Sequence, residues 1–323
     1  MILVTGGAGF IGSHVLLSQR EEPMIVLDDL SQGHRSSVLR ANLIQATLLD
    51  AVGLRSIFDM YQISAVFHLA ARTEAGESVN DPFAFWQTNV IGTINLLQEM
   101  TRAGVSHIVF SSTAAVYGNP DVLPIPEEHP LRPASPYGDT KLAAEQLIHA
   151  WAHAYGGKFV ILRYFNAAGA EPDGRIGERH RPETHLIPKC LDVALGRESV
   201  LIINGDDYGT RDGTCIRDFV HVLDLADAHF MALEYIRNGG SSTVFNLGSE
   251  RGYSVLEVVQ EVERVTGRTV PYRFAVRREG DVESLYAASE RAKSVLGWNA
   301  KWKELSDILR TAWNWHLRLY SQL

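Results

Sequence analysis

An apolar run, Met1-Ile2-Leu3-Val4, passes directly into Thr5-Gly6-Gly7-Ala8-Gly9-Phe10-Ile11-Gly12 and then into a helical pattern. Few folds use such a segment. The glycines permit a tight turn out of a strand and let the backbone approach a pyrophosphate. The helix that follows offers N–H donors and the positive end of its dipole to that anion. A glycine pattern alone is weak, because ligand-free turns are built the same way, but here its context agrees on both sides. A second apolar run, residues 25–27, ends at Asp28, where a carboxylate can accept both hydroxyls of a ribose and repel a 2′-phosphate. The combination predicts binding of NAD rather than NADP.

The first half continues in kind. Short β-branched or aromatic runs at 2–4, 25–27, 65–69, 108–110 and 159–162, with a weaker one at 43–44, alternate with helical stretches at 11–19, 54–61, 84–103 and 137–154. Runs this continuously apolar suit strands buried on both faces. The expected class is α/β: a Rossmann-type doubly wound parallel sheet, with ligands beyond the carboxyl ends of its strands. Residues 1–168 are read as the dinucleotide domain. Residues 169–323 are read as a smaller mixed α/β substrate lobe, some of whose elements return to the first domain. Residues 171–183 read as a long surface loop. Helices are expected near 186–195, 223–236 and 255–265 and at the carboxyl terminus, and a strand at 200–203.

Composition narrows the partners. Thirty Lys and Arg against 38 Asp and Glu give a net charge of −8 over 323 residues, so no nucleic-acid surface is expected. No apolar stretch is long enough to span a membrane. Two cysteines, Cys190 and Cys215, exclude a disulfide framework. With no charged leader before the first strand, a cytoplasmic location is the expectation.

Tyr137 and Lys141 stand four residues apart on a predicted helix, hence on one face. An ammonium and a cationic nicotinamide near a phenol both favour phenolate, which is how a tyrosine acts as a base near neutral pH. Ser111-Ser112-Thr113, after the 108–110 strand, supplies a hydroxyl to share the substrate proton. A solvated helix face is the competing reading of the Tyr/Lys pair by itself.

With these groups behind a glycine-rich turn, the chain resembles the extended short-chain dehydrogenase/reductase family over essentially its whole length. Asn89, within Thr88-Asn89-Val90-Ile91-Gly92-Thr93, belongs to the same motif set. Dehydratases and decarboxylases of that family carry an acid just after the Ser/Thr. Here Thr113 is followed by Ala114-Ala115, which leaves only proton and hydride transfer at one carbon. The second half is similar to the family's UDP-sugar 4-epimerases. The matching segments are Arg163-Tyr164-Phe165-Asn166, Pro182-Glu183-Thr184-His185-Leu186-Ile187-Pro188, Asp207-Tyr208, Asp212-Gly213-Thr214, Arg217-Asp218-Phe219-Val220-His221 and Arg277-Arg278-Glu279-Gly280-Asp281.

That resemblance implies a UDP-glucose/UDP-galactose 4-epimerase activity through a transient 4-keto sugar, with NAD retained and Tyr137, Lys141 and Thr113 catalytic. It places NAD against Gly6, Gly9, Phe10, Ile11, Gly12, Asp28, Asp29, Leu30, Ser31, Gly33, Thr47, Leu48, Leu69, Ala70, Ala71, Thr73, Asn89, Ser111, Tyr164 and Phe165 besides the catalytic pair. It places the UDP-sugar against Thr113, Asn166, His185, Leu186, Ile202, Asn204, Arg217, Arg278 and Asp281. It implies no metal, and a homodimer formed through the 84–103 and 137–154 helices.

Some positions depart from the family pattern. Thr47 stands where an acid meets the adenine, and Thr73 where a lysine approaches the cofactor, with Arg72 beside it as a substitute cation and Glu74 adding negative charge. Leu285 falls where side-chain size governs room for a 2-acetamido group, so N-acetylated sugars stay open, as do UDP-pentoses and UDP-uronates. A non-catalytic NAD sensor would be expected to lose Tyr137 or Lys141. His149 and His153 have the spacing of a metal pair but no third ligand and read as a helix face. The Arg175, Arg179, His180 and Arg181 group reads as surface, and Trp298, Trp302, Trp313 and Trp315 as packing.

Overall fold

A computed structural model describes residues 1–278 and 281–321. Glu279 and Gly280 of the matching segment ending at Asp281 lie outside the described residues. In chain order the elements are β1 (Ile2–Thr5), α1 (Phe10–Leu17), β2 (Met24–Asp28), β3 (Asn42–Gln45), α2 (Ala51–Met60), β4 (Ala65–His68), α3 (Ala75–Asn80), α4 (Pro82–Phe85), α5 (Gly92–Arg102), β5 (His107–Thr113), α6 (Pro136–Tyr155), β6 (Lys158–Tyr164), β7 (Asn166–Ala168) and α7 (Leu186–Ala194). There follow β8 (Leu201–Asn204), β9 (Ile216–His221), α8 (Val222–Arg237), β10 (Thr243–Leu247), β11 (Gly252–Ser254), α9 (Val255–Thr266), β12 (Tyr272–Ala275), β13 (Ser284–Leu285) and α10 (Leu305–Tyr320).

Seven parallel strands run in the order β10-β6-β5-β4-β1-β2-β3. The direction of winding reverses between β1 and β4, and a crevice opens there beyond the strand ends. Alternation along each strand supplies two cores. Ile2, Val4 and Val26 face α1 and α8 with Val15, Leu16 and Leu225, whereas Leu3, Ile25 and Leu27 face α2, α5 and α6 with Leu54, Leu96 and Ile148. All six expected strands are present, and β10, from the second half, adds the seventh. A separate core joins α7, α9 and α10 through Leu191, Val258, Val262 and Leu309.

Two expectations are corrected. The stretch 84–103 is not one regular helix: α4 and α5 are joined by a wide π-helical turn, Trp86–Ile91. The additional residue in that turn rotates Asn89 inward, where its amide has three partners. The 171–183 segment is not a surface loop throughout. Ile176 and Glu178 are buried, and Trp315 Nε1 on α10 donates to the Glu178 carbonyl at 2.8 Å. The tryptophans are packing residues as expected: Trp298 is 2% exposed and Trp302 stacks on His221 with centroids 4.4 Å apart. The ring of His149 packs edge-on against Phe159 at 4.4 Å, which accounts for it without a metal.

Candidate active site

The turn between β1 and α1 can be built only with glycine at critical points. Gly6 has φ +73°, and a Cβ there would lie 2.6 Å from Ala70 N, in the loop after β4. A Cβ at Gly12 would lie 2.2 Å from the Gly6 carbonyl oxygen. The result is a bare backbone cradle at a helix N-terminus that has no side-chain cap and no acid in its first turn. Asp28 closes its far side, with Oδ2 accepting from Ala8 N at 2.9 Å and Oδ1 from Leu30 N at 2.8 Å. Burial raises the Asp28 pKa, and those two N–H donors oppose the shift. These residues fit a dinucleotide: uncluttered donors stand where phosphates would lie and a carboxylate where the ribose would. Gly12→Ala is expected to abolish dinucleotide retention, measured as nucleotide released from the denatured protein. Gly76→Ala, where a Cβ meets nothing within 4 Å, is the unaffected control.

A buried relay supports this cradle. Thr93 Oγ1 donates to Asn89 O at 2.6 Å and therefore accepts from His68 Nε2, 2.9 Å away. The opposite ring nitrogen, His68 Nδ1, then accepts from Thr5 Oγ1 at 2.7 Å. Burial lowers His68 to about 3, so the ring is neutral, as this pattern requires. Asn89 accepts from Arg72 N at 2.8 Å and donates to Arg72 O at 3.1 Å and Thr140 Oγ1 at 2.9 Å. It thus ties the loop after β4 to α6. Arg72 itself pairs with Glu77 at 3.6 Å, Thr73 is exposed, and Thr47 is half-buried with Oγ1 accepting from Leu49 N at 3.3 Å.

Tyr137 and Lys141 lie in the first turns of α6, which starts at a Ser135 cap followed by Pro136. Both are almost fully buried. The Tyr137 hydroxyl lies close enough to the Thr113 side chain for Thr113 to favour its ionised form, and Thr113 Oγ1 accepts from Ala115 N at 3.1 Å. Gly138 makes this meeting possible, since a Cβ there would come within 2.8 Å of the Ala115 carbonyl. From the other side, the Tyr137 N–H donates to Ser78 Oγ at 3.1 Å. Burial pushes the Tyr137 phenol up to about 12, nearby Thr113 opposes it, and Glu74 adds to it. Burial pushes Lys141 down to about 7, with Glu145 pulling the other way. Its ammonium sits 4.4 Å from the centroid of the Phe110 ring. Ser111 is turned towards α8, 3.2 Å from His229 Nε2, while Tyr164 and Phe165 are buried at the end of β6.

The sequence did not single out Glu145 and Ser78. Glu145 accepts from Ser112 Oγ at 2.5 Å and from Arg163 Nε at 2.9 Å, fastening α6 to β5 and β6 behind the site. Its signal was only a charged residue on the sheet-facing side of a helix. Ser78 carried no signal, because its contact with Tyr137 is entirely tertiary.

Across the crevice, residues far apart in the chain form a polar patch. Arg217 on β9 donates to Asp281 Oδ1 at 2.8 Å. Arg278 presents Nε and Nη2, each 3.0 Å from the Asn204 carbonyl oxygen in the amide orientation that satisfies both groups. Ile202 and Asn204 are on β8 and Asn166 is on β7, while His185 caps α7 and Leu186 begins it. Leu285, half-buried, packs against an apolar group containing Ala114, Phe165 and Ala287.

Residues 2–248 match the model of the NAD dependent epimerase/dehydratase family. The chain is 50% identical over 317 residues to the UDP-glucose 4-epimerase of Halalkalibacterium halodurans, covering 98% of this chain and 95% of that one. It superposes on UDP-glucose 4-epimerase of Brucella ovis, solved in complex with NAD, with a TM-score of 0.93, 46% identity and 97% of each chain covered. The enzyme from Bifidobacterium longum, in complex with NAD+ and UDP, gives 0.94, with 35% identity and 98% of each chain covered.

Proposed function

The chain belongs to the NAD dependent epimerase/dehydratase family, and from that premise we propose that it interconverts UDP-glucose and UDP-galactose, an isomerase reaction through a 4-keto sugar with retained NAD. The observation that carries this is the Tyr137–Thr113 hydroxyl pair beside the glycine cradle, followed by two alanines and no acid. Such a site moves one proton and one hydride. It has no agent at that position for eliminating water or carbon dioxide.

Gly6, Gly9 and Gly12 would hold the pyrophosphate of NAD and Asp28 a ribose, and the nicotinamide so placed would supply the reversible hydride acceptor for the sugar carbon. Tyr137 takes the 4-hydroxyl proton as phenolate and gives it back when the keto sugar is reduced on its opposite face. Thr113, its oxygen fixed by Ala115 N–H, shares that proton's hydrogen bond. Burial alone keeps Tyr137 protonated, so the phenolate depends on positive charge nearby, and Lys141 is the side chain that provides it. Arg217 and Arg278 are forks suited to a diphosphate, and Asp281 and Asn204 hold them in place before substrate arrives. Anchoring the nucleotide while lining the sugar end with Phe165 and Leu285 leaves the keto sugar free to turn over.

Incubating purified protein with UDP-galactose is expected to give UDP-glucose with no net consumption of NAD, resolved by chromatography. Parallel arms with UDP-N-acetylgalactosamine, UDP-arabinose and UDP-galacturonate measure how far Leu285 restricts the sugar. Absence of turnover in every arm would refute the reading. Among the described residues no helix is long and apolar enough to cross a membrane. A homodimer is part of the proposal, supported by exposed Phe83, Trp86 and Ile91 along the α4–α5 face. A cytoplasmic location is supported by the two free, buried cysteines.

A further inference from the structure

Between β7 and α7 the chain brings Glu178, His180, Glu183 and His185 together, with one ligand atom from each inside a sphere where all pairs lie within 4.8 Å. His180 Nδ1 is 3.4 Å from Glu178 Oε1 and 3.6 Å from Glu183 Oε2, His185 Nδ1 is 3.9 Å from Glu183 Oε1, and His185 Nδ1 also contacts Glu178 Oε1. Four donors around one zinc ion, at bond lengths of about 2.0–2.1 Å, stand about 3.3–3.4 Å apart in a tetrahedron. The observed spacings lie on both sides of that value: the His185–Glu178 contact would lengthen, and the wider pairs, which reach up to 4.8 Å, would draw in.

A second observation points the same way. His180 Nδ1 is buried and close to both carboxylates, yet it makes a hydrogen bond to neither. A buried nitrogen facing two carboxylates without a well-aligned hydrogen bond is a position that a metal ion can take by displacing the ring's proton. The donors are also braced from behind, as metal ligands are. Glu183 Oε1 accepts from the N–H groups of Thr184 at 2.8 Å and His185 at 2.9 Å. The backbone carbonyl of Glu178 is held by Trp315, and that of Arg179 lies 2.8 Å from His34 Nε2. Once binding has released the ring protons, two imidazoles and two carboxylates balance a dication, and an N2O2 donor set suits zinc better than calcium or magnesium.

We propose that Glu178, His180, Glu183 and His185 bind a structural zinc ion, which pins the segment leading into α7 against α10 and the loop carrying His34. All four ligands being protein atoms, the site is closed and structural rather than catalytic.

Chelator-treated wild-type protein, incubated with excess zinc chloride and desalted, is expected to retain about one zinc per chain by elemental analysis. Cobalt(II) in its place should give the intense visible bands of four-coordinate geometry. His180→Gln is expected to lower zinc affinity by at least roughly tenfold and to lose the cobalt bands. Wild-type protein that retains no zinc and shows no cobalt bands overturns the proposal, and so does zinc held equally well by His180→Gln. The wild-type arms decide the matter even if the variant does not fold. None of these readouts uses turnover, so they stand or fall separately from the epimerase reading.

Discussion

Tyr137→Phe is expected to lower turnover of UDP-galactose by roughly 10³-fold or more while UDP and NAD binding change little. The substitution removes one oxygen, and with it the atom that must carry the 4-hydroxyl proton. The ring remains, along with its packing near Phe85, where the centroids are 6.4 Å apart. Steady-state kinetics and UDP titration separate the two effects. A variant with near-normal turnover would mean that another group moves the proton, and the assignment of Tyr137 would be wrong. Thr113 cannot replace it, because an aliphatic hydroxyl is too weakly acidic to ionise and serve as the base near neutral pH.

Lys141→Met is expected to act in opposite directions on activity and stability. Turnover should fall by about 10²-fold or more, because the phenolate loses its cationic neighbour. Stability at neutral pH should rise, because the native ammonium is buried and its pKa is down to about 7. The sign follows from proton counts. Above the unfolded value near 10.5 both states are neutral and the lysine costs nothing. As pH falls from there towards 7, the unfolded chain takes up a proton that the folded chain resists, so wild-type stability declines across that window and levels off below it. Methionine, similar in length and uncharged, removes that slope. Denaturation of dinucleotide-stripped protein from pH 7 to 10 should therefore show a gap on the order of a few kcal/mol favouring Lys141→Met at pH 7, closing as pH rises. No gap at pH 7 would show that the ammonium has a partner or solvent in solution. Stability given up at a catalytic position is common in enzymes.

Local chemistry made much of this molecule legible. The parallel sheet could be read because its strands are buried on both faces, leaving near-continuous apolar runs that a polar loop cannot imitate. The cradle could be read because only glycine allows Gly6 its left-handed backbone and Gly12 its approach to the Gly6 carbonyl. Tyr137 and Lys141 could be paired because a helix puts i and i+4 on one face. The short strands β7, β9, β11 and β13 left weaker traces, for their pairing is set by partners distant in sequence. The π-helical turn at Trp86–Ile91 left none, since what rewards it is the fit of Asn89 to Arg72 and Thr140.

The sequence by itself determined the strand order's raw material, the dinucleotide turn, the proton-transfer pair and the absence of a second acid, all properties of neighbouring residues. Tertiary structure alone decided the rest. It set Gly138 against Ala115 so that Thr113 meets Tyr137, turned Arg217 onto Asp281 and Arg278 onto Asn204, and folded an apparent surface loop into a nest of two histidines and two glutamates. The reason is physical. Backbone periodicity and glycine sterics act over a few residues and are written locally, whereas burial shifts Lys141 and Tyr137 only once β5, β6 and α6 have closed around them.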